Sequence, residues 1–235
     1  MVAIGVVILA AGIGKRMNST TPKQFLELLK KPILIHSLEV FEQHPLISQI
    51  SVVTNEASYN HVEHLIQKYH LKKVKRIVMG GKERQNSVYA GVTATPTEWV
   101  LVHDAVRAFV TADEITTLIQ AVNENQPAAT LAVPVKDTIK RVNEFGIVEE
   151  TLNRKELWII QTPQMFDREL LLGAHQRAES QDVLATDDAM LVEMLGDSVK
   201  VVRGEYTNIK ITTPDDIFLG EAILAKRRKG SVQTT

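Results

Sequence analysis

The segment VAIGVVILAAGIG, Val2–Gly14, starts as an apolar run and ends in two glycines. Val2–Leu9 is rich in Val and Ile and carries no charge, which predicts a strand buried on both faces. A strand of that kind belongs in a parallel sheet with helices above and below it. Gly12-Ile13-Gly14 then sets flexible backbone at the carboxyl edge of the sheet, where ligands of open α/β sheets bind and where N–H groups approach phosphate oxygens closely. Two familiar fingerprints do not fit. The dinucleotide loop requires a third small residue where Met17 stands, and GIGKRM lacks both the spacing and the Lys-Ser/Thr ending of a P-loop. A glycine pair after a first strand is also a common turn, so phosphate binding depends on what surrounds it.

Val/Ile-rich runs recur at Ile50–Thr54, Val74–Met79, Trp99–His103, Thr130–Val135, Leu157–Gln161 and Val199–Arg203, with segments of helical period between them. This alternation predicts an α/β chain whose parallel sheet is covered on both faces by helices. Pro32 suits a first helical position, after which Leu34, Leu38 and Phe41 share one face; Val62, Leu65, Ile66 and Tyr69 do so in the next helix. Both stripes read as core. Thr213-Pro214-Asp215-Asp216 offers an N-cap, a proline at the first position and acids for the positive end of a last helix. That helix is expected to end in Lys226-Arg227-Arg228-Lys229, a solvated cationic end without a function.

Lys136–Glu150, KDTIKRVNEFGIVEE, breaks the alternation. Two short strands around Asn143–Gly146 predict a hairpin, and an isolated hairpin needs something to pack on. A second copy of the chain is the natural candidate, so a homodimer is expected. The predicted organisation is one domain over residues 1–230 with an arm at about 136–155, followed by a frayed tail at 231–235.

Composition limits the partners. The 235 residues are 44% hydrophobic and 23% charged, enough to bury a full core. Twenty-seven Lys+Arg against 28 Asp+Glu leave a net charge of -1, so no global basic field recruits nucleic acid or an anionic membrane. No apolar run reaches the roughly 20 residues of a bilayer span, and the start lacks the basic leader of a secretory signal, which predicts a cytoplasmic protein. With no cysteine, disulfides, thiolate metal sites and a Cys nucleophile are excluded. An anion must therefore be bound locally. Arg16 offers a planar fork of donors for phosphate oxygens, and Lys23 a mobile point charge that can follow a phosphoryl group; together they suit a triphosphate. Lys15 reads as a solvated loop charge.

Eight stretches in register, LAAGIGKRM, PKQF, GGKERQNSV, VHDAVRAF, VPVKDTIKR, NRKELW, QTPQMF and NIKITTPDD, run from Leu9 to Asp216. In this order they resemble the 2-C-methyl-D-erythritol 4-phosphate cytidylyltransferases of isoprenoid biosynthesis over nearly the whole chain. The resemblance implies a Rossmann-like, GT-A-like nucleotidyltransferase fold with a mixed, mostly parallel sheet, and a homodimer with exchanged arms. It implies the reaction of CTP with a sugar-alcohol phosphate, releasing pyrophosphate. Mg²⁺ is expected, held mainly by the CTP phosphates rather than by a protein cage.

The same resemblance assigns residues. Ala10, Ala11, Gly12, Gly14, Arg16, Lys23, Gly81 and Ser87 would meet the nucleotide, with Arg16 and Lys23 stabilising the charge that builds on the departing pyrophosphate. Arg154 and Lys210 would orient the attacking phosphate, Arg154 reaching in from the partner's arm, with Thr138 helping. Asp104 and Arg107 would meet the acceptor. From the residues alone, Arg154 is equally a surface ion pair beside Glu150 or Glu156, and a metal role competes for Asp104. Lys210 is read as ending an apolar strand before the capped helix. Asp187-Asp188 reads as a helix start, His61 and His64 as surface residues and His103 as a hydrogen-bonding or packing residue. Lys82 stands where relatives often carry aspartate and Ala108 where they usually carry proline. Two rivals remain: a ribitol 5-phosphate cytidylyltransferase of the same fold, and a nucleotide-binding regulator without turnover.

Overall fold

The computed structural model describes residues 2–12 and 21–232. The first half of the chain contains β1 (Ile4–Leu9), β2 (Glu27–Leu28), β3 (Lys31–Pro32), α1 (Ile33–Gln43), β4 (Ile47–Thr54), α2 (Tyr59–Lys68), β5 (Val74–Met79), α3 (Arg84–Thr93), β6 (Trp99–Asp104) and α4 (Ala112–Gln120). The second half adds β7 (Ala128–Pro134), β8 (Lys140–Val142), β9 (Val148–Thr151), β10 (Trp158–Asp167), α5 (Arg168–Ser180), α6 (Asp188–Met194), β11 (Lys200–Arg203) and α7 (Pro214–Val232).

Seven strands form one sheet in the order β11-β7-β10-β6-β1-β4-β5. β1 lies inside it, parallel to both β4 and β6, and β10 alone runs against its neighbours. The sheet is thus mixed and mostly parallel. Successive side chains alternate between faces, and both faces are covered. Val6, Ile8, Ile50, Val52 and Leu101 meet α1, α2 and α4 on one side; Val7, Val53, Val100 and Val102 meet α3, α5 and α6 on the other. This double burial is why the strands read as continuous apolar runs. All seven expected strands are present in this sheet, and all but the one expected at Leu157–Gln161 lie within a few residues of their predicted bounds.

Several expectations are corrected. Pro32 precedes α1 instead of opening it, because it pairs with Glu27 in the β2–β3 ladder. β10 continues past Gln161 to Asp167: the register shifts between Ile160 and Gln164, so Pro163 sits in a bulge where its missing N–H interrupts no ladder bond. The last helix runs through Val232, past the expected start of the tail at 231; residues 233–235 lie outside the described residues. Arg227 is no solvated charge, since its Nη2 donates to the Phe109 carbonyl at 2.7 Å. The helix start itself is as expected, with Asp216 Oδ2 accepting from the Thr212 and Thr213 amides at 2.7 and 2.8 Å.

The arm forms a separate antiparallel pair, β8 with β9. Asn143 organises its turn: Oδ1 accepts from the amides of Phe145 and Ile147. Every residue of both strands is exposed.

Candidate active site

The loop after β1 is pinned from three directions. The Ala10 amide donates to Val53 O at 2.7 Å, Ala10 O accepts from Gln24 Nε2 at 2.7 Å, and Ala11 O accepts from Asn55 Nδ2 at 3.1 Å. Gln24 is buried in the single helical turn Lys23–Phe25, so its anchor also fixes where Lys23 emerges. Facing this loop, the Gly81 amide donates to Ser87 Oγ at 3.1 Å, and that hydroxyl donates to Glu83 O at 3.1 Å. A Cβ on Gly81 would stand 2.4 Å from Asn86 Cβ, and one on Gly80 2.9 Å from Ala11 Cβ. Glycine here is demanded by close approach. Glu83 and Asn86 close a capping box at the start of α3. Between the two loops lies a cavity of about 250 Å³, lined by Ala10, Ala11, Gly12, Lys23, Gly81, Ser87, Asp104 and Lys210, and also by Lys82, Glu83 and Arg84. Gly14, Lys15 and Arg16 lie outside the described residues.

Asp104 ends β6 at the floor of this cavity. Its Oδ2 meets Lys210 Nζ at 2.7 Å and its Oδ1 faces Arg84 Nε at 3.6 Å. Burial alone would raise its carboxyl, but Arg84 first and then Lys210 more than offset this and hold it well below the usual carboxylate range. Arg84 reaches a second acid, Asp188, through Nη1 at 2.8 Å. Asp188 is buried in the first turn of α6, which Asp187 caps by accepting from the Met190 amide. Asp187-Asp188 is thus the helix start expected, but Asp188 turns inward to the site.

A second cavity of about 280 Å³ opens on the other side of the same charges, lined by Arg84, Asp104, Arg107, Gln161, Thr162 and Lys210. Arg107 Nη1 and Nη2 donate to the carbonyls of Asn208 and Ile160 at 2.8 and 3.3 Å, so the guanidinium braces the cavity wall. Lys210 does not end a strand, contrary to expectation, because β11 stops at Arg203. It lies in the connection to α7, whose backbone bonds go elsewhere than to a ladder: Asn208 O is taken by Arg107, and the Ile211 amide donates to Val106 O.

His103 is buried behind Asp104 and is neutral. Its Nε2 donates to the Arg107 carbonyl at 3.1 Å, and Thr162 Oγ1, already accepting the Asp104 amide, donates to Nδ1 at 3.1 Å. Burial, with a contribution from Arg107, pushes its pKa down to about 4. It is therefore the hydrogen-bonding residue expected. Ala108 packs in the apolar cluster with Phe109 and Ile223. His61 and His64 are exposed, His61 edge-on to Phe25.

The chain brings together Ala10, Ala11, Gly12, Lys23, Gly81, Ser87, Asp104, Arg107 and Lys210 across the two cavities. Thr138 and Arg154 line neither cavity. Arg154 Nη1 donates to Lys136 O at 2.9 Å, while Glu150 pairs with Arg141 and Glu156 accepts from Asn153, so the surface pairs considered for Arg154 are taken by others. Three site residues escaped the sequence reading: Gln24, Arg84 and Asp188. Gln24 and Arg84 stand in the stretches PKQF and GGKERQNSV, and the groups each one meets lie far away in sequence. Asp188 reads from the sequence only as part of a helix start.

A strand-end glycine loop facing cations at the carboxyl edge of a mostly parallel sheet is the arrangement of a nucleotide-binding α/β fold, here with a second cavity beside it. Residues 4–226 match the family of 2-C-methyl-D-erythritol 4-phosphate cytidylyltransferases, and the chain belongs to that family. It is 51% identical over 225 residues to the 2-C-methyl-D-erythritol 4-phosphate cytidylyltransferase of Halalkalibacterium halodurans, covering 95% of this chain and 98% of that one. It is 47% identical to the enzyme of the same name from Alkaliphilus metalliredigens, covering 97% and 95%. The crystal structure of 4-diphosphocytidyl-2C-methyl-D-erythritol synthase from Anaerococcus prevotii superposes with a TM-score of 0.83 at 32% identity, over 95% of this chain and 96% of that one.

Proposed function

We propose that this chain joins CTP to 2-C-methyl-D-erythritol 4-phosphate, giving 4-diphosphocytidyl-2-C-methyl-D-erythritol and pyrophosphate. The observation that carries the reading is the pair of adjoining cavities with Arg84, Asp104 and Lys210 common to both walls. A reaction between two phosphates needs such a shared boundary.

The acceptor is a phosphate monoester whose second pKa is about 6, so at neutral pH it is mostly a dianion and needs no general base. An acceptor oxygen bonds to the α-phosphorus of CTP in line as the bond from that phosphorus to the bridging oxygen breaks, and pyrophosphate leaves with the electron pair. The barrier is the approach of two anions. Placement of cations and alignment of the reacting groups therefore supply most of the catalysis. Lys23 and Arg16 serve the triphosphate, Ala10, Ala11, Gly12, Gly14, Gly81 and Ser87 the nucleoside and its phosphates, Asp104 the acceptor hydroxyls, Arg107 the wall that seats them and Lys210 the acceptor phosphate. Arg154 and Thr138 act from the arm of a second subunit in a homodimer.

Mg²⁺ belongs to the reaction as an ion carried by the triphosphate. Both oxygens of Asp104 face cations, and among the described residues no three acidic or His side chains converge. This donor set does not fit a metal held by the protein, and no step is routed through one. Among the described residues no helix is long and apolar enough to cross a membrane, which is compatible with a cytoplasmic location.

Incubation with CTP, Mg²⁺ and either methylerythritol phosphate or ribitol 5-phosphate tests the reading through pyrophosphate release. Release with the methylerythritol phosphate is expected. Release only with ribitol 5-phosphate would replace the acceptor, and none with either would favour a regulator.

A further inference from the structure

We propose that Arg84 is a positioning residue: tethered from behind by Asp188, it is the standing partner of Asp104, and this frees Lys210 to exchange Asp104 for a substrate phosphate. The inference rests on the function proposed above and concerns the same site.

Lys210 Nζ lies 2.7 Å from Asp104 Oδ2, so in this arrangement it is already spent on a carboxylate. To hold an acceptor phosphate it must leave. The Asp104 side chain is only 10% exposed, and stripping a lone cation from a carboxylate so far from water is strongly unfavourable. Arg84 removes that obstacle because its Nε faces the other oxygen of the same carboxylate. Geometry divides the labour between the two cations. The guanidinium is a planar fork that engages two carboxylates at once and does not lose its proton. The Lys210 ammonium is a point charge on a flexible stem with 38% of its side chain exposed.

The tether explains why Arg84 stays while Lys210 moves. Arg84 Nη1 meets Asp188 Oδ2 at 2.8 Å, and the Asp188 side chain is 1% exposed. His175 Nε2, equally buried on α5, lies 3.6 Å from Asp188 Oδ1. Arg84 itself is the first residue of α3, whose start is fixed by its capping box. The guanidinium is therefore held at one end by the scaffold and presented at the other to both cavities. A merely structural ion pair docking α3 on α6 would need the Asp188 contact alone.

The test compares wild type with Arg84→Gln, Arg84→Lys and Asp188→Asn. Turnover with CTP and methylerythritol phosphate is expected to show a roughly tenfold or larger rise in acceptor KM and a fall in kcat for Arg84→Gln, with CTP KM changed much less. The acid limb of its kcat/KM profile should move to higher pH as Asp104 loses a cationic neighbour. Arg84→Lys should rescue part of the loss. Asp188→Asn, which keeps the guanidinium but loosens it, should raise acceptor KM in the same direction by less, and it serves as the test if Arg84→Gln does not fold. A readout without turnover separates this idea from the function: acetylation of Lys210 by a soluble reagent, followed by mass spectrometry, should slow several-fold in Arg84→Gln because Asp104 then holds Lys210 alone. Unchanged Lys210 labelling, or wild-type acceptor KM in folded Arg84→Gln and Asp188→Asn, overturns the proposal even where the wild-type protein is active. An inactive wild type overturns the function while the labelling still decides the exchange.

Discussion

A histidine at position 103, wholly buried against Phe41 and hydrogen-bonded to Thr162, makes the fold sensitive to mild acid. Its pKa is about 4 in the native chain and about 6.5 when unfolded. Between these values the unfolded chain holds a proton that the native chain does not, so stability falls as pH drops from about 6.5 to about 4, by about 3 kcal/mol in all. Above that window His103 contributes no slope. The depressed carboxyls of Asp104 and Asp188 act elsewhere: their contribution is complete above about pH 4 and is lost only as pH falls further, through their native values. Burial also lowers His36 and His44, which add slope of the same sign. Urea denaturation of wild type and His103→Gln at pH 7 and pH 5 should show a smaller loss on acidification in the variant; equal losses would mean that His103 is protonated in the native state.

Gly12 makes a contrasting case at the same scale. Gly80 and Gly81 leave no room for a Cβ, whereas among the described residues a Cβ on Gly12 would meet nothing within 4 Å. Packing among the described residues does not require glycine there, but a ligand passing over the backbone would. Gly12→Ala should therefore keep the wild-type Tm and lose CTP affinity, by about tenfold or more for a methyl group set against a nucleotide. Calorimetric titration and a thermal melt check the two halves; unaltered CTP binding would remove Gly12 from the contact surface.

Among the elements, the β8–β9 hairpin is out of balance. In its turn Phe145 is 79% exposed and Ile147 62%, and Val142 and Val148 are also open to water on two strands whose every residue is exposed. An isolated hairpin of this kind is marginal in water. Phe145→Glu combined with Ile147→Glu should leave the stability of the sheet intact, shifting Tm by no more than about 2 °C apart from any contribution of association. If the arm embraces a second copy, sedimentation should show the variant as a monomer where wild type is a dimer. A dimeric variant would place the interface elsewhere. The hairpin was legible because its alternation and turn residues differ from everything around it. The central strands were legible for the opposite reason, since burial on both faces leaves runs such as IGVVIL with no polar alternation. Legibility failed where a side chain's partner was remote in sequence. The continuation of β10 past Gln161 was not legible because nothing local reveals the bulge that admits Pro163. Arg84 carried no local signal because its acids, Asp104 and Asp188, come from β6 and α6. Lys210 was recognised, but not the loop that carries it, whose backbone bonds are made by Arg107 and Val106.

At the scale of the whole molecule, the role proposed for Arg154 requires that one chain does not make a complete site. Lys23 and Lys210 line the cavities of their own chain, while Arg154 stands on the exposed arm with its guanidinium on Lys136 O. A cation proposed to steer the acceptor phosphate must reach a cavity, and the arm's exposed apolar face suggests that the cavity belongs to a neighbour. Mixing two defective variants distinguishes the alternatives. Lys23→Ala and Arg154→Ala should each be nearly inactive as homodimers. In a mixed dimer, the Arg154→Ala chain retains its own Lys23 and would receive Arg154 from the Lys23→Ala chain, so one of its two sites is whole. Random re-association at equal amounts makes half of the dimers mixed, and activity per chain should return to about a quarter of wild type. If Arg154 serves its own chain, every site in the mixture lacks one cation or the other, and pyrophosphate release stays at the level of the separate variants.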